Sequence, residues 1–577
     1  MPVFNFMPSA KFIACLIFVL LIHGVFAWVS NQPQDVGPDV PSGKLRSLSF
    51  APYHEGFSPI EQKFPLPEHI DADLRLLADK TFAIRTYSIL GGMQPTADFA
   101  KQYNVDMLMG GWLGDGHKEN QVEIQALIQA ANAHPDVVKR VIVGNEVLLR
   151  KDMDIEHLIG YIRQVKQAIK QPVTYADVWS SYMKYPQLFN EVDFITIHIL
   201  PYWEDEPVAI EHAAEHVENI VKQIKAKAKS VGVDKPILIG ESGWPAAGRQ
   251  RGLAVPGVVN EARFIRSLIQ VANQQGFDYN IVEAFNQHWK SQNEGVVGAN
   301  WGLFNLDREP VFPLTGPVTE NPRWLTQAGW ASVLCLGLAL LTRKSLSALS
   351  VLRLLLILGM AQVFCIVLID LGDFLWRTSY SPLQRANTIL MVLANTIMSM
   401  LLLQRLQKSL SGQPGRAVFD NGLGHVYVFF AGLAALKTLH LAIDGRYLSF
   451  PVEQFVIPSL GVVCLIIANQ FGSKSVYFGL SDLTGCSELK PLHKYLAYIL
   501  LISAIGLVIG ETHAFMEAYD FIQAHPGFYE GLPVALGYTL QNGQLVSWLL
   551  CVVMLALPFW PLGSAYSAAS ELQTAQG

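Results

Sequence analysis

The sequence predicts an α/β chain with an eight-stranded parallel (β/α)8 barrel, followed by an all-α multi-spanning transmembrane domain. Three observations predict it. Eight short strand-like runs alternate with helical patterns between about residues 45 and 320. Two of those runs end in glycine and then a glutamate, at Gly144-Asn145-Glu146 and Gly240-Glu241. From Leu325 onward long apolar runs replace the mixed pattern, and the mean hydropathy of the whole chain is positive.

The N-terminal segment, residues 1–30, places Lys11 before the apolar stretch Phe12 to Val29. That pattern reads as a signal peptide or an uncleaved signal anchor. Val25-Phe26-Ala27 suits a signal peptidase, so cleavage stays open at this point. Residues 31–44, rich in Pro, Gly and Asp, read as a flexible linker.

Residues 45–324 carry the strand signals: Leu48 to Ala51, Phe82 to Tyr87, Val105 to Gly110, Val141 to Gly144, Val173 to Ala176, Phe194 to His198, Ile237 to Gly240 and Asn280 to Glu283. Helical patterns lie between them at Asp71 to Ala78, Glu119 to Asn132, Ile155 to Ile169, Glu211 to Ser230 and Asn260 to Gln274. Repeated strand–helix units in under 300 residues predict a barrel. A doubly wound open sheet is the competing architecture, but no Gly-x-Gly-x-x-Gly loop follows the first strand.

After Trp324, seven apolar runs are long enough to span a bilayer, centred near 326–342, 349–371, 385–403, 423–443, 452–471, 495–515 and 543–562. Arg343, Lys344, Arg405, Lys408, Arg416, Lys474, Lys490 and Lys494 fall in alternate loops, which are expected to be cytoplasmic. Asp370, Asp373, Asp444, Glu453, Glu517 and Asp520 cluster at the opposite ends. Residues 325–563 then form a seven-helix membrane domain, residues 564–577 a cytoplasmic tail, and the barrel lies outside the cytoplasm.

Net charge −6 and the absence of a basic stripe exclude a nucleic-acid binder. The cysteines Cys15, Cys335, Cys365, Cys464, Cys486 and Cys551 all avoid the barrel segment. They form no disulfide framework and no zinc spacing, so neither metal nor other cofactor is expected.

The strand ends concentrate chemistry. In order they offer Tyr53, Tyr87, Trp112, Asn145 with Glu146, Asp177 with Trp179, His198 with Tyr202 and Trp203, Glu241 with Trp244, then Glu283, Phe285, Trp289 and Lys290. On one barrel face these would line a cleft of aromatics and carboxylates, suited to sugar rings that stack by their C–H faces. Cleaving a glycosidic bond takes two carboxyl groups, one protonating the leaving oxygen and one attacking or stabilising the anomeric carbon. Glu146 and Glu241 are the candidates, and Asn145 could hold a sugar 2-hydroxyl. Singly, each aromatic is more often core, and an isolated Gly-Asn-Glu more often a helix cap.

Phe50 to Tyr53, Ile84 to Tyr87, Val143 to Glu146, Gly240-Glu241-Ser242-Gly243-Trp244-Pro245 and Glu283 to Lys290 resemble glycoside hydrolase family 17, the β-1,3-glucanase family, in its bacterial membrane-bound branch. The resemblance covers about residues 45–320, and the hexad at 240–245 is its most specific part. It implies a retaining endo-1,3-β-glucanase with Glu146 as acid/base and Glu241 as nucleophile. Tyr53, Tyr87, Asn145, Trp179, Tyr202, Trp244, Glu283, Phe285, Trp289 and Lys290 are the expected substrate-binding residues. One departure is Gln287, where plant members usually carry a further glutamate, which bears on substrate register and on hydrolysis against transfer.

Two alternatives accompany this reading: a glucanosyltransferase remodelling periplasmic or exported β-glucan, and a non-catalytic glucan-binding or export component. The expected location is a bacterial inner membrane, with the barrel on the periplasmic or extracellular side. Expected partners are a β-glucan, the membrane and a glucan synthase, since an anchor needs only one span. Lys437, His440 and Asp444, with Glu511, His513 and Glu517, are ionisable groups near the outer span ends, where pairing at the interface is the simpler account.

Overall fold

The computed structural model describes residues 9–412, 420–472, 478–486 and 493–560. The chain divides into two compact units: Pro33–Glu320, and Met1–Gln32 with Asn321–Gly577. The first helix, α1 (Ala10–Ser30), therefore groups with the C-terminal helices.

The first unit is a closed barrel of β1 (Leu48–Ser49), β2 (Ala83–Arg85), β3 (Asp106–Gly111), β4 (Val138–Asn145), β5 (Val173–Val178), β6 (Ile195–His198), β7 (Ile237–Ser242) and β8 (Asp278–Ile281). All neighbours pair in parallel, and Leu48 against Ile281 closes the ring. The helices between strands are α2 (Pro67–Leu77), α3 (Thr96–Gln102), α4 (His117–Ala133), α5 (Val147–Arg150), α6 (Ile155–Ala168), α7 (Trp179–Lys184), α8 (Leu188–Glu191), α9 (Ile210–Ser230) and α10 (Val258–Gln275), with α11 (Ser291–Gly298) after β8. The spacing of buried residues explains the long helices. In α9, Ile210, Ala213, Val217, Ile220, Val221, Ile224 and Ala228 share one stripe against the sheet while Lys and Glu face water.

At the active end the barrel interior changes character. Ser47 donates to Asn280 at 2.6 Å, and Asn280 donates to Ser49 at 2.8 Å and to the Gly240 carbonyl at 2.9 Å. Ser49 meets the Tyr87 hydroxyl at 2.8 Å. These buried polar groups are paired with one another, which is what their burial requires. They form a floor beneath the site.

The second unit holds α1, α12 (Trp324–Leu346), α13 (Val351–Arg377), α14 (Pro382–Ser411), α15 (Asp420–Ile443), α16 (Val452–Gly472), α17 (Leu480–Thr484), α18 (Lys494–Met516), α19 (Tyr519–Ala524), α20 (Phe528–Leu540) and α21 (Gly543–Ala556). Among the described residues, seven helices are long and apolar enough to cross a membrane, α1, α12 to α16 and α18, or eight if the bent pair α20 and α21 is one span. Helix α1 buries Phe12, Cys15, Leu16, Val19 and His23. Its His23 ring meets Ser332 of α12 at 3.2 Å and Gln362 of α13 at 3.0 Å, while Lys11 donates to the Leu349 carbonyl at 2.7 Å.

The seventh C-terminal run follows a break. In its described part the run is α21, carried on by a 3-10 turn at Leu557–Phe559, and it meets α20 at a bend of 74°. Asn542 causes the break: its side chain accepts from the amides of Gln544 and Leu545 and starts a new helix. Among the outer-end groups, Asp373 pairs with Arg323 at 3.0 Å and with Arg377 at 2.6 Å. His513 faces Glu517 at 3.6 Å with both exposed, and His440 and Asp444 are exposed. Arg416, Lys474, Lys490 and the tail at 564–577 lie outside the described residues.

Candidate active site

Two features of the β4 and β7 sequences place the carboxylates. Glu146 follows β4 with φ 52° and ψ 30°, a left-handed conformation that costs a non-glycine residue of order 1–3 kcal/mol. Its amide donates to the Ala176 carbonyl at 2.8 Å, so pairing with β5 continues through the turn and holds it there. At β7 two glycines allow close approach. A Cβ on Gly240 would lie 2.6 Å from Thr196 and 3.1 Å from the His198 ring; one on Gly243 would lie 2.3 Å from the Val282 carbonyl oxygen. The hexad's glycines thus let β6 and β8 close on either side of Glu241.

The two carboxylates meet around His198. One oxygen of Glu146, one ring nitrogen of His198 and one oxygen of Glu241 all lie within 4.8 Å of one another. His198 Nδ1 is 2.9 Å from Glu146 Oε1, and Nε2 is 3.7 Å from Glu241 Oε1. Arg85, buried at the end of β2, donates from Nη1 to Glu241 Oε1 at 3.0 Å and to the Gly240 carbonyl at 2.7 Å, and from Nη2 to Asn145 Oδ1. The same Nη1 lies 3.3 Å from His198 Nε2. The ring thus presents Nδ1 to Glu146 and Nε2 to Arg85 and Glu241. Both ring nitrogens are engaged within the site, and Arg85 already supplies a cation to Glu241.

The environments of the carboxyls differ. Burial pushes Glu241 up, but His198, Arg85, Lys290 and the Tyr87 hydroxyl outweigh it and hold the group below the usual glutamate range. Glu283, buried after β8, is pushed up to about 7 by burial and by Glu294 and Glu241, against the opposing pull of Lys290. Lys290 Nζ bonds Glu283 Oε1 at 2.8 Å. Burial also lifts Glu294, on α11, as do Glu146 and Glu241. Asp177 is raised by burial and takes the Tyr175 hydroxyl.

The expected substrate-binding residues divide. Tyr53, Tyr87, Trp179, Trp289 and Lys290 are partly exposed, and Asn145 and Glu283 are buried beside the pair. Tyr53 packs edge-on to Trp289 at 6.0 Å, and Trp289 donates to Gln287 at 2.8 Å. Gln287 is fully buried and also donates to the Ala51 carbonyl at 2.7 Å, so it supports Trp289 instead of facing substrate.

Three expectations are corrected. Trp244, Tyr202 and Phe285 are 0 % exposed and offer no face to a sugar. Trp244 donates to the Val255 carbonyl at 2.9 Å and packs on Tyr202 and Phe264. Tyr202 gives its hydroxyl to the Arg249 carbonyl, and Phe285 is enclosed by Phe50, Phe304 and Arg308. Following a strand is not enough; the next loops cover these rings. The sequence reading placed His198 only among the strand-end residues lining the cleft, and it assigned no role to Arg85 or Glu294. Arg85 carried a signal, a charge inside a strand otherwise made of core residues.

A closed parallel barrel with two glutamates converging on one histidine at its C-terminal end defines a glycosidase. Comparisons agree. Residues 47–302 match the model of the BtgE/BtgC glycoside hydrolase domain. A glucan 1,3-beta-glucosidase of Arthroderma benhamiae is 27 % identical over 245 residues, 40 % of this chain and 78 % of that protein. The probable beta-glucosidase btgE of Aspergillus flavus is 25 % identical over 46 % of this chain and 43 % of its own length. This chain therefore spans less than half of that relative. Among solved structures, a glycoside hydrolase family 17 beta-1,3-glucanosyltransferase from Rhizomucor miehei matches with a TM-score of 0.41 and 27 % identity, covering 47 % of this chain and 96 % of that one. Through residues 47–302, the barrel is similar to glycoside hydrolases that include glucan 1,3-beta-glucosidases.

Proposed function

We propose that the chain is a retaining β-1,3-glucan-active enzyme held on the extracytoplasmic side of a membrane. The observation that carries this is that one oxygen of Glu146 lies within 4.8 Å of one oxygen of Glu241, which favours the closer of two arrangements. Retaining enzymes keep their carboxyls ~5–5.5 Å apart, whereas inverting ones leave ~6.5–9.5 Å for a water. Glu241, kept ionised by Arg85, His198 and Lys290, attacks the anomeric carbon as the glycosidic C–O bond breaks. Glu146, facing the His198 ring, gives a proton to the leaving oxygen as the acid. Glu146, now a carboxylate, takes a proton from the incoming water or sugar hydroxyl, whose oxygen displaces Glu241.

Hydrolysis and transfer share this glucosyl-enzyme, so hydrolysis and glucanosyl transfer are two outcomes of one site. A purely glucan-binding or export role would leave this buried array of charges without use. Glu241→Gln in the full chain removes the nucleophile; turnover of laminari-oligosaccharides should fall by at least about 10³-fold. Wild-type activity retained in that variant would defeat the reading.

The membrane side rests on the apolar helices and on charge. Lys11, Arg343, Lys344, Arg405 and Lys408 fall at alternate ends of α1, α12 and α14, which supports a cytoplasmic place for those ends and an outer one for the barrel, although Arg323, Arg377 and Arg385 lie at the opposite ends. The helices beyond a single anchor are assigned to docking a membrane partner in polysaccharide assembly, such as a glucan synthase.

A further inference from the structure

Trp112, the first residue after β3, is 43 % exposed, whereas the other barrel-unit tryptophans are buried or half-buried. An indole left open on the C-terminal end of a barrel needs a reason, because its burial elsewhere in this unit is routine. It is also held firmly. Its amide donates at 3.1 Å to Glu123 Oε1, a buried carboxylate that takes the Ile89 amide at 2.8 Å as well. The Arg150 guanidinium lies 4.3 Å from the ring centroid. That guanidinium is itself fixed, donating to the carbonyls of Asn145 and Leu113 and to Asp152. The ring is thus tied, through Arg150, to the residue preceding Glu146.

We propose that Trp112 is an acceptor-side sugar platform, binding a glucosyl unit on the leaving-group side of the cleaved bond. This rests on the glucan-processing reading above. The acid/base protonates the leaving oxygen, so the sugar that departs, or that returns as acceptor, lies on the Glu146 side. Trp112 flanks Glu146 there, at the neighbouring strand end. Its rigidity matters because a pre-positioned ring gains stacking without a further ordering cost. The opposite side of the barrel mouth already has its own aromatic pair, Tyr53 and Trp289. Occupancy at Trp112 favours a sugar hydroxyl over water at the glucosyl-enzyme, and so sets the share of transfer.

The test uses the full chain in detergent. In wild type and Trp112→Ala, a laminari-oligosaccharide donor is turned over while laminaribiose is raised as acceptor, and transfer and hydrolysis products are separated. Losing one stacked ring should raise the half-saturating acceptor concentration about three- to tenfold and lower the transfer-to-hydrolysis ratio. Trp112→Phe, which keeps a ring, should recover most of both. Leu149→Ala, which removes a comparably exposed apolar side chain on α5, should do neither. An unchanged ratio in Trp112→Ala, or the same loss in Leu149→Ala, would overturn the proposal. So would a change confined to donor KM. Calorimetry of laminaribiose binding in a Glu241→Gln background reads the platform without turnover; there the Trp112→Ala change should weaken binding by the same factor, and equal affinity would overturn it. Failure of wild-type turnover would instead count against the catalytic reading.

Discussion

Arg85 touches Glu241, the Gly240 carbonyl, Asn145 and His198, so one side chain sets both the charge and the geometry of the site. Its neighbour His198 then links the two glutamates. None of this is readable from spacing, because β2, β6 and β7 meet only when the barrel closes. The glutamates were legible: a short aliphatic strand followed by Gly and Glu can place a carboxyl at a barrel mouth. Trp244, Tyr202 and Phe285 were misread for the same reason that Arg85 was passed over. Sequence shows that a ring follows a strand, and only the fold shows what covers it.

Glu283 gives a pH prediction at this scale. Its carboxyl is raised from 4.5 to about 7, so the fold favours the protonated form. The stability it contributes is fully present below its unfolded value and is lost as pH rises through about 7. The group is 1 % exposed. The shift corresponds to a loss of roughly 3 kcal/mol at most between pH 4.5 and 7.5. Thermal unfolding of residues 33–320 should show a steeper decline over that window in the wild type than in Glu283→Gln. Parallel curves for the two would contradict the assignment.

Among the elements, the strands were the most legible and the short helices the least. All eight strands fell where the runs predicted, though β8 ends at Ile281 and leaves Glu283 beyond it. Helices α3, α5, α7, α8 and α11 were missed, since a turn or two of helix has no readable period. Their stability comes from the barrel they pack on.

Helix α1 is the element whose fate the sequence left open. Its stripe of Phe12, Cys15, Leu16, Val19 and His23 packs within the second unit, with His23 bonded to α12 and α13. A polar contact between apolar helices has few competing partners in a bilayer. We predict that α1 is retained. Intact mass of the membrane-extracted protein should include residues 10–30, and a mature start after Ala27 would refute this.

At the scale of the whole molecule, the chain joins a soluble-type barrel to a helical unit built by different rules. The barrel buries aliphatic stripes against a sheet. The helical unit instead exposes apolar rings such as Trp330, Trp376 and Phe429, which suits lipid better than water. Hydropathy made that division plain, but not the 74° bend between α20 and α21, which comes from a single capping asparagine.

The central claim is that Glu241 and Glu146 act by double displacement on a β-glucan. Proton NMR of the first sugar released from a β-1,3-oligosaccharide, recorded before mutarotation, tests it most directly. The account predicts the β-anomer first, with the α-anomer growing in later. The α-anomer appearing first would mean inversion and would contradict it.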